Sequence, residues 1–300
     1  MKRRFHTLDV FTDKPLAGNP LAVVLDSDGL DDEAMQAIAT EFNLSETVFV
    51  FPPEKSNHTA RIRIYTPVHE LPFAGHPTVG TAVLLSQLNH MDHRAELVLE
   101  ENVGPVKCVV SDQDEVRSAR FELPKVSERF DWQVDTGKLA DSIGLQTQDV
   151  GFDNHEVSIW DGGVPYMLVP LGSLSAVANI KINPVLLKEI EPVFEGIHAN
   201  IYAYCRGGEA VDAAFHARMF APFQGIPEDP ATGSAVASFS GQIALRELGD
   251  NDSGSFFIEQ GYEMGRPSQI YLDIGKSGAA ISGAAISGAA VRISEGILDI

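Results

Sequence analysis

The chain has 300 residues, of which 44% are hydrophobic and 21% charged, enough apolar material for one large domain or two domains of ordinary size. Its 22 basic and 42 acidic residues give a net charge of −20, which argues against nucleic acid or an anionic membrane as a partner and requires a local positive site for any anionic substrate. No apolar run is long enough for a membrane span, and Met1-Lys-Arg-Arg-Phe is not followed by an export signal. Because Cys108 and Cys205 lie far apart, as in a reducing compartment, we expect a soluble cytoplasmic protein.

Short runs of β-branched and aromatic residues predict strands along most of the chain. In the first half, strands are predicted at 20–25, 47–51, 60–65 and 96–100, with an amphipathic helix at 31–42 that Asp31 can cap. In the second half, strands are predicted near 116–122, 157–160, 165–169, 199–204, 213–220, 255–260 and 268–274, with helices near 137–143 and 184–194.

Two further predicted helices, 77–88 and 230–245, have almost no charged residues. A helix that is small and apolar on every face is buried on every face, so we expect strands to surround each of these helices.

The surroundings of the two apolar helices also resemble each other. Arg63-Ile-Tyr-Thr-Pro67 matches Arg218-Met-Phe-Ala-Pro222, and Pro77-Thr-Val-Gly-Thr-Ala82 matches Pro230-Ala-Thr-Gly-Ser-Ala235 in the same order. We therefore expect two similar halves, residues 1–117 and 118–287, with the terminal strand, about 288–300, packing with the first half. Each half is expected to be a sheet curled about its central helix.

The starts of these two helices are candidate anion sites. Unpaired N–H groups in a first turn carry a partial positive charge and bind carboxylates. The alternative is that the small residues serve only close packing.

Three titratable residues lie near these points. His76 precedes Pro77 and Asp229 precedes Pro230, from which we infer equivalent positions relative to the two helices. Asp229 can also be a purely structural cap, and Glu46, where a loop enters a strand, can be a solvated surface residue. No nucleotide-binding or metal-binding motif is present, and we expect no metal.

Several segments together resemble the phenazine biosynthesis PhzF-like family. They are Gly18-Asn-Pro-Leu-Ala-Val, Ser45-Glu-Thr, Arg63-Ile-Tyr-Thr-Pro, Gly75-His-Pro-Thr and Asp229-Pro-Ala-Thr-Gly-Ser-Ala. The resemblance runs in order from about residue 5 to Val291-Arg-Ile-Ser-Glu-Gly-Ile-Leu. It implies an α/β (α+β) protein of the diaminopimelate epimerase-like fold, with two pseudo-symmetric domains, each a β-barrel-like sheet around a central helix, and an active site between them.

The resemblance also implies an activity. Glu46 would be the acid and base, and Gly75, His76, Asp229 and Ser234 would bind the substrate, in a cofactor-independent isomerisation like that of trans-2,3-dihydro-3-hydroxyanthranilate. It further implies a small carboxylate substrate and a homodimer. Neither helix motif contains a cysteine, which argues against the cysteine-based racemisation of epimerase relatives. Two alternatives stay open: a lyase that eliminates a β-substituent with the same base, and a non-catalytic protein that binds a small molecule or another protein.

One feature matches nothing in the family. Three tandem copies of one pentapeptide, Ser-Gly-Ala-Ala-Ile or -Val, occupy residues 277–291. An odd period reverses side-chain facing from copy to copy in a strand. We interpret the copies as an insertion that lengthens a hairpin before the last strand.

Overall fold

A computed structural model of the chain describes residues 2–113, 116–194, 196–278 and 280–300. The chain divides into two compact units. Unit 1 consists of Met1–Pro124 with Ser287–Ile300, and unit 2 consists of Lys125–Ile286.

Unit 1 is a closed barrel. Its elements are β1 (Lys2–Val10), β2 (Asn19–Val24), α1 (Asp32–Phe42), β3 (Glu46–Phe51), β4 (Ala60–Tyr65), β5 (Glu70–Leu71), α2 (Gly75–Leu88), β6 (Arg94–Glu101), β7 (Gly104–Gln113) and β8 (Val116–Glu122). The last strand, β19 (Ala280–Asp299), enters unit 1 from residue 287. Pairing runs β1–β2–β3–β4–β6–β7–β8–β19 and returns from β19 to β1. Helix α2 contacts β1, β2, β3, β6, β7 and β8, so the barrel surrounds it.

Unit 2 is likewise a sheet that packs around one apolar helix. Its helices are α3 (Thr136–Ser142), α4 (Leu174–Ala178), α5 (Pro184–Leu187) and α6 (Gly233–Arg246), with single 3₁₀ turns at Thr147–Asp149 and Pro222–Gln224. Its strands are β9 (Glu128–Phe130), β10 (Ser158–Asp161), β11 (Pro165–Pro170), β12 (Val193–Phe194), β13 (Ile197–His198), β14 (Asn200–Arg206), β15 (Phe215–Ala221), β16 (Ile226–Asp229), β17 (Ser253–Gln260) and β18 (Ser268–Ser277). Pairing runs β9–β10–β11–β14–β15–β17–β18, and α6 contacts β9, β10, β11 and β18. The predicted fold class, mixed α and β with each sheet wrapped around an apolar helix, is confirmed.

The matching Arg63 and Arg218 segments occupy equivalent strands. β4 and β15 each pair antiparallel with the preceding long strand and parallel with the strand that follows the central helix. Arg63 binds Glu70 at 2.6 Å, and Arg218 binds Glu228 at 2.8 Å, so the same ion pair ties each strand to the short strand beside it. The internal repeat seen in the sequence is therefore a repeat of structure.

One predicted helix is much shorter than expected. Asn183 caps α5 and Pro184 begins it, as predicted, but the helix ends at Leu187 rather than at 194. Pro192 has no N–H for a helical hydrogen bond and disfavours the helical conformation of the residue before it, and β12 follows directly.

The pentapeptide repeat includes the turn between β18 and β19, which are hydrogen-bonded neighbours, and continues along β19. The expected hairpin is therefore present, and its second arm is the start of the last strand. The first copy includes a turn in which Gly278 has a positive φ of 64°, and the second and third copies lie within β19. Ile286 is fully buried, whereas Ile281 and Val291 are partly exposed. Side-chain facing thus reverses with each copy, as an odd period requires. Ala279 is outside the described residues.

Candidate active site

Glu46 is the first residue of β3 in unit 1. Helix α1 ends at Phe42, Asn43 turns the chain with φ of 50°, and β3 then pairs parallel with β2 so that Glu46 lies opposite Leu21. The Glu46 side chain is only 13% exposed, so it is not a solvated surface residue.

The structure brings Glu46 and His76 together. Nδ1 of His76 lies 3.2 Å from Oε2 of Glu46, and the His76 side chain is 4% exposed, with buried Asn19 beside it. Burial lowers the pKa of His76 to about 3, against a smaller opposing effect of a hydrogen bond to the backbone of Pro20. His76 is therefore neutral near pH 7.

Nδ1 is the ring nitrogen of His76 that faces Glu46. The amide nitrogen of Asn19 lies 3.5 Å from Nδ1, and Oε2 of Glu46 lies 3.2 Å from it. Nε2 of His76 has no hydrogen-bond partner within the described ranges.

Helix α2 presents Gly75 and His76 as its first two residues. Its N-cap residue is Ala74, whose side chain makes no cap hydrogen bond, and Pro77 at the third position has no N–H. Part of the small-residue pattern does serve packing: a Cβ on Gly80 would lie 2.6 Å from Leu21 and 2.7 Å from Val10. Close packing therefore explains the glycine at position 80, which lies within the helix, whereas Gly75 is the first residue of the helix.

Asp229 ends β16 in unit 2 and lies four residues before the first residue of α6. It is buried, and its Oδ2 accepts a hydrogen bond of 2.5 Å from the hydroxyl of Thr232, the N-cap residue. Gln260 holds this loop, since its amide donates to the Asp229 carbonyl at 2.8 Å and to the Thr232 hydroxyl at 3.0 Å. Asp229 is therefore not the cap of α6, and the structural interpretation of Asp-Pro as cap and first turn is wrong.

Ser234 is the second residue of α6. Its hydroxyl lies 2.8 Å from that of Tyr166, a buried residue of β11. Like α2, helix α6 has no side-chain cap hydrogen bond at its start. Asp229 and Ser234 thus lie at the two ends of the short loop that leads into α6.

The inferred equivalence of His76 and Asp229 is also wrong. Leu71 pairs with Ile64, and Asp229 pairs with the equivalent residue, Met219. Each lies four positions before its helix. His76 is instead equivalent to Ser234, since both are second in their helices. The sequence match of Pro77–Ala82 with Pro230–Ala235 is therefore five positions out of register with the structure. Small residues occur on every face of a buried helix, so they do not determine an alignment.

The same register identifies the counterpart of Glu46. Glu46 lies opposite Leu21 in a parallel strand pair, and Asn200 lies opposite Tyr166 in the corresponding pair of unit 2. Asn200 is fully buried. Unit 1 therefore carries Glu46 and His76 where unit 2 carries Asn200 and Ser234.

Sequence reasoning gave no role to three residues of these sites. Asn19 belongs to the Gly18-Asn-Pro-Leu segment, whose positions recur in unit 2 as Gly163-Val-Pro-Tyr166, so comparing the two segments could have singled out both Asn19 and Tyr166. Gln260, the third, ends a strand with no local signal for its contacts with a distant loop.

Comparison with solved structures identifies the class of fold. A hydroxyproline epimerase from Agrobacterium vitis superimposes with a TM-score of 0.63 at 13% identity, covering 99% of this chain and 92% of that one. A phenazine biosynthesis protein of the PhzF family from Bacillus anthracis superimposes with a TM-score of 0.89 at 25% identity, covering all of both chains. The fold is thus that of the epimerase-like enzymes.

The family follows from sequence comparison. The model for phenazine biosynthesis-like proteins (PhzC-PhzF) matches residues 8–296, and the chain belongs to this family. An uncharacterized isomerase of Mesorhizobium japonicum is 46% identical over 297 residues, covering 99% of this chain and 98% of that one. The trans-2,3-dihydro-3-hydroxyanthranilate isomerase of Pseudomonas aeruginosa is 33% identical over 295 residues, covering 98% of each. The chain is an enzyme of the isomerase class. None of its helices in the described ranges is long and apolar enough to cross a membrane.

Proposed function

We propose that this isomerase moves a proton between carbon atoms of a small carboxylate substrate, without a cofactor, and that Glu46 both removes and returns the proton. The observation that carries the proposal is the contact of 3.2 Å between Glu46 and His76 in a largely buried position. A carboxylate beside a neutral imidazole can accept a proton without first breaking an ion pair.

The repeat of structure supports a single acid/base group. Asn200 and Ser234, which replace Glu46 and His76 in unit 2, do not exchange protons near neutral pH. Moving a proton from one carbon of a substrate to another needs only one acid/base group, and of these equivalent positions only that of Glu46 supplies one. The difference at these positions supports an isomerase in which Glu46 is the base.

We propose that Gly75, His76, Asp229 and Ser234 bind the substrate. The starts of α2 and α6 lack side-chain caps, so their first-turn N–H groups are suited to a carboxylate in a protein of net charge −20. Nε2 of His76, which has no partner among the described residues, can form a hydrogen bond with a substrate amine or hydroxyl. The carboxylate of Asp229 can accept a hydrogen bond from a second donor group of the substrate.

The first substrate to test is trans-2,3-dihydro-3-hydroxyanthranilate, the compound in the name of the Pseudomonas aeruginosa isomerase. Its name describes a carboxylate, an amine and a hydroxyl, the groups that the proposed binding residues can recognise.

The experiment is product analysis in deuterated water. The proposal predicts a product that is isomeric with the substrate and carries deuterium at the carbon that receives the proton. Direct return of the original proton by Glu46 would lower this deuterium incorporation. A product lighter by water or ammonia would show a lyase, and binding without any product would show a non-catalytic member; either result contradicts the proposal.

We also propose a cytoplasmic homodimer. The family resemblance supports the dimer, and the buried free thiols of Cys108 and Cys205 suit a reducing compartment. Light scattering that gives twice the monomer mass at micromolar concentration would support the dimer, and the monomer mass would contradict it.

A further inference from the structure

A second carboxyl group, that of Glu101, lies inside the barrel of unit 1. On β6 it follows Leu97 and Leu99 on the core-facing side of the strand, and it is 7% exposed. Its Oε1 lies 2.8 Å from the hydroxyl of Thr78 in the first turn of α2, and its Oε2 has no hydrogen-bond partner in the part of the chain that the structure describes. An ionised carboxylate with an unsolvated oxygen is costly at such a position.

The geometry around Thr78 favours a proton on Glu101. The Thr78 hydroxyl oxygen lies 2.7 Å from the carbonyl of Ala74 and 2.8 Å from Oε1 of Glu101. A hydroxyl has one proton to donate, and a carbonyl can only accept, so an ionised Glu101 and the Ala74 carbonyl compete for the Thr78 proton. A neutral Glu101 removes this competition, because it can donate to Thr78 while Thr78 donates to Ala74.

Unit 2 has an uncharged amide at the equivalent position. Glu100 lies opposite Arg61, and Glu259 lies opposite the equivalent residue, His216. The next residue is Glu101 in one unit and Gln260 in the other. Gln260 donates its amide N–H to the hydroxyl of Thr232 at the start of α6. Thr232 is the N-cap residue of α6 and Thr78 is the fourth residue of α2, so in both units the side chain at this strand position contacts a hydroxyl at the start of the central helix. In unit 2 that side chain carries no charge.

The charged and titratable groups around Glu101 come from several elements. Cys108 on β7 lies nearby, and burial and then the charge of Glu101 raise the pKa of that thiol above its usual range. Glu101 also lines a cavity of about 260 Å³, which gives its proton a route to solvent. The other charged or titratable residues that line this cavity are Glu54, Lys55, His58, Arg61 and Glu100. Burial raises the pKa of Glu101 to about 8, against a smaller lowering effect of the hydrogen bond that Thr78 can donate to the ionised carboxylate.

We propose that Glu101 is a positioning residue that works as a neutral acid: through Thr78 and Ala74 it holds the first turn of α2, which presents Gly75 and His76. When Glu101 loses its proton, the Thr78 hydroxyl turns from Ala74 to the carboxylate, and a negative charge appears beside the helix start. That charge opposes the binding of an anion there. The effect on substrate rests on the proposed function, but the protonation of Glu101 does not.

The protonation is tested by thermal melting of the parent, Glu101→Gln and Glu96→Gln from about pH 5 to 9. Glu96 is an exposed residue of the same strand and serves as the matched control. Above pH 4.5 the unfolded chain releases a proton that the folded chain keeps up to about pH 8, so the parent loses stability across that window. We expect the Tm of Glu101→Gln, relative to the parent, to rise from pH 5 to 8 and then level, while Glu96→Gln shows no such trend. Equal trends in the two variants overturn the proposal.

If Glu101→Gln does not fold, carbon-13 NMR of the glutamate carboxyls of the parent decides the same point. A carboxyl that titrates near pH 8 supports the proposal, and titration of every glutamate below pH 6 overturns it.

The positioning role is tested by kinetics on trans-2,3-dihydro-3-hydroxyanthranilate. Between pH 7 and 9 we expect KM of the parent to rise at least fivefold, with a smaller change in kcat, and KM of Glu101→Gln to stay constant. A parallel rise in both proteins overturns the role. If the parent does not turn over this compound, the proposed substrate fails, and melting still decides the protonation of Glu101.

Discussion

Glu46 and Asn200 occupy the same place in the two units, each opposite the corresponding residue of a parallel neighbouring strand. The two units therefore share the same backbone framework at this position and differ in the side chain that it carries. A carboxylic acid is present in one unit and an amide in the other, and this difference supports the proposal that Glu46 is the base.

Changing Asp229 to Asn separates chemistry from structure in unit 2. The Asn side chain can still accept the hydrogen bond from Thr232, so we expect the melting temperature to change by only a few degrees. Loss of the negative charge should lower kcat/KM at least tenfold, as measured on the identified substrate. Asp141→Asn, the same change at an exposed position in unit 2, is the control and should leave both quantities unaltered.

Full activity of Asp229→Asn, with normal melting, would show that the charge of Asp229 has no part in binding or turnover. Asp229 would then serve only to hold the loop before α6.

The neutrality of His76 predicts a particular dependence of stability on pH. Because burial lowers the folded-state pKa to about 3, the unfolded chain binds a proton from about pH 6.5 downward that the folded chain refuses, and the parent loses stability as the pH falls. In His76→Asn this loss is absent. We expect the difference in free energy of unfolding between the two proteins to shift by about 2 kcal/mol from pH 7 to 5.

Chemical denaturation at the two pH values measures this shift. Parallel changes in parent and variant would mean that folding does not lower the pKa of His76, and a shift of the opposite sign would mean that protonated His76 forms an ion pair with Glu46.

Tyr166 is predicted to support Ser234. Tyr166→Phe removes the partner of the Ser234 hydroxyl and should cost about 1 kcal/mol of stability while raising KM several-fold. Tyr202→Phe is a matched control in the same unit, because the Tyr202 hydroxyl is buried without a hydrogen-bond partner among the described residues. Equal KM values for the two variants would remove Tyr166 from the binding site.

Much of the fold could be predicted from local sequence. The alternation of Ile62 and Ile64 with polar neighbours gave β4, and the absence of charge in 77–88 gave a helix enclosed by strands. β1 was not predicted, because its buried positions include Arg3, His6 and Asp9 and its apolar alternation is correspondingly weak.

The sequence was sufficient to name the candidate site residues, but not to predict which of them are in contact. The family resemblance pointed to Glu46 and His76, but their contact depends on β3 pairing with β2 and on where α2 begins, which local pattern does not determine. The sequence did not single out Glu101 for a related reason. Its correspondence to Gln260 follows only from the pairing of β6 with β4 and of β17 with β15.

The most direct test of the central claim is the turnover of Glu46→Gln. Glutamine keeps the shape and the hydrogen-bonding reach of Glu46 but cannot take up a proton, and a general base contributes about 10²–10⁴-fold to rate. We predict that kcat falls at least a hundredfold, while substrate affinity and melting temperature stay close to those of the parent. A Glu46→Gln enzyme with normal turnover would contradict the account and place the base elsewhere, His76 being the next candidate.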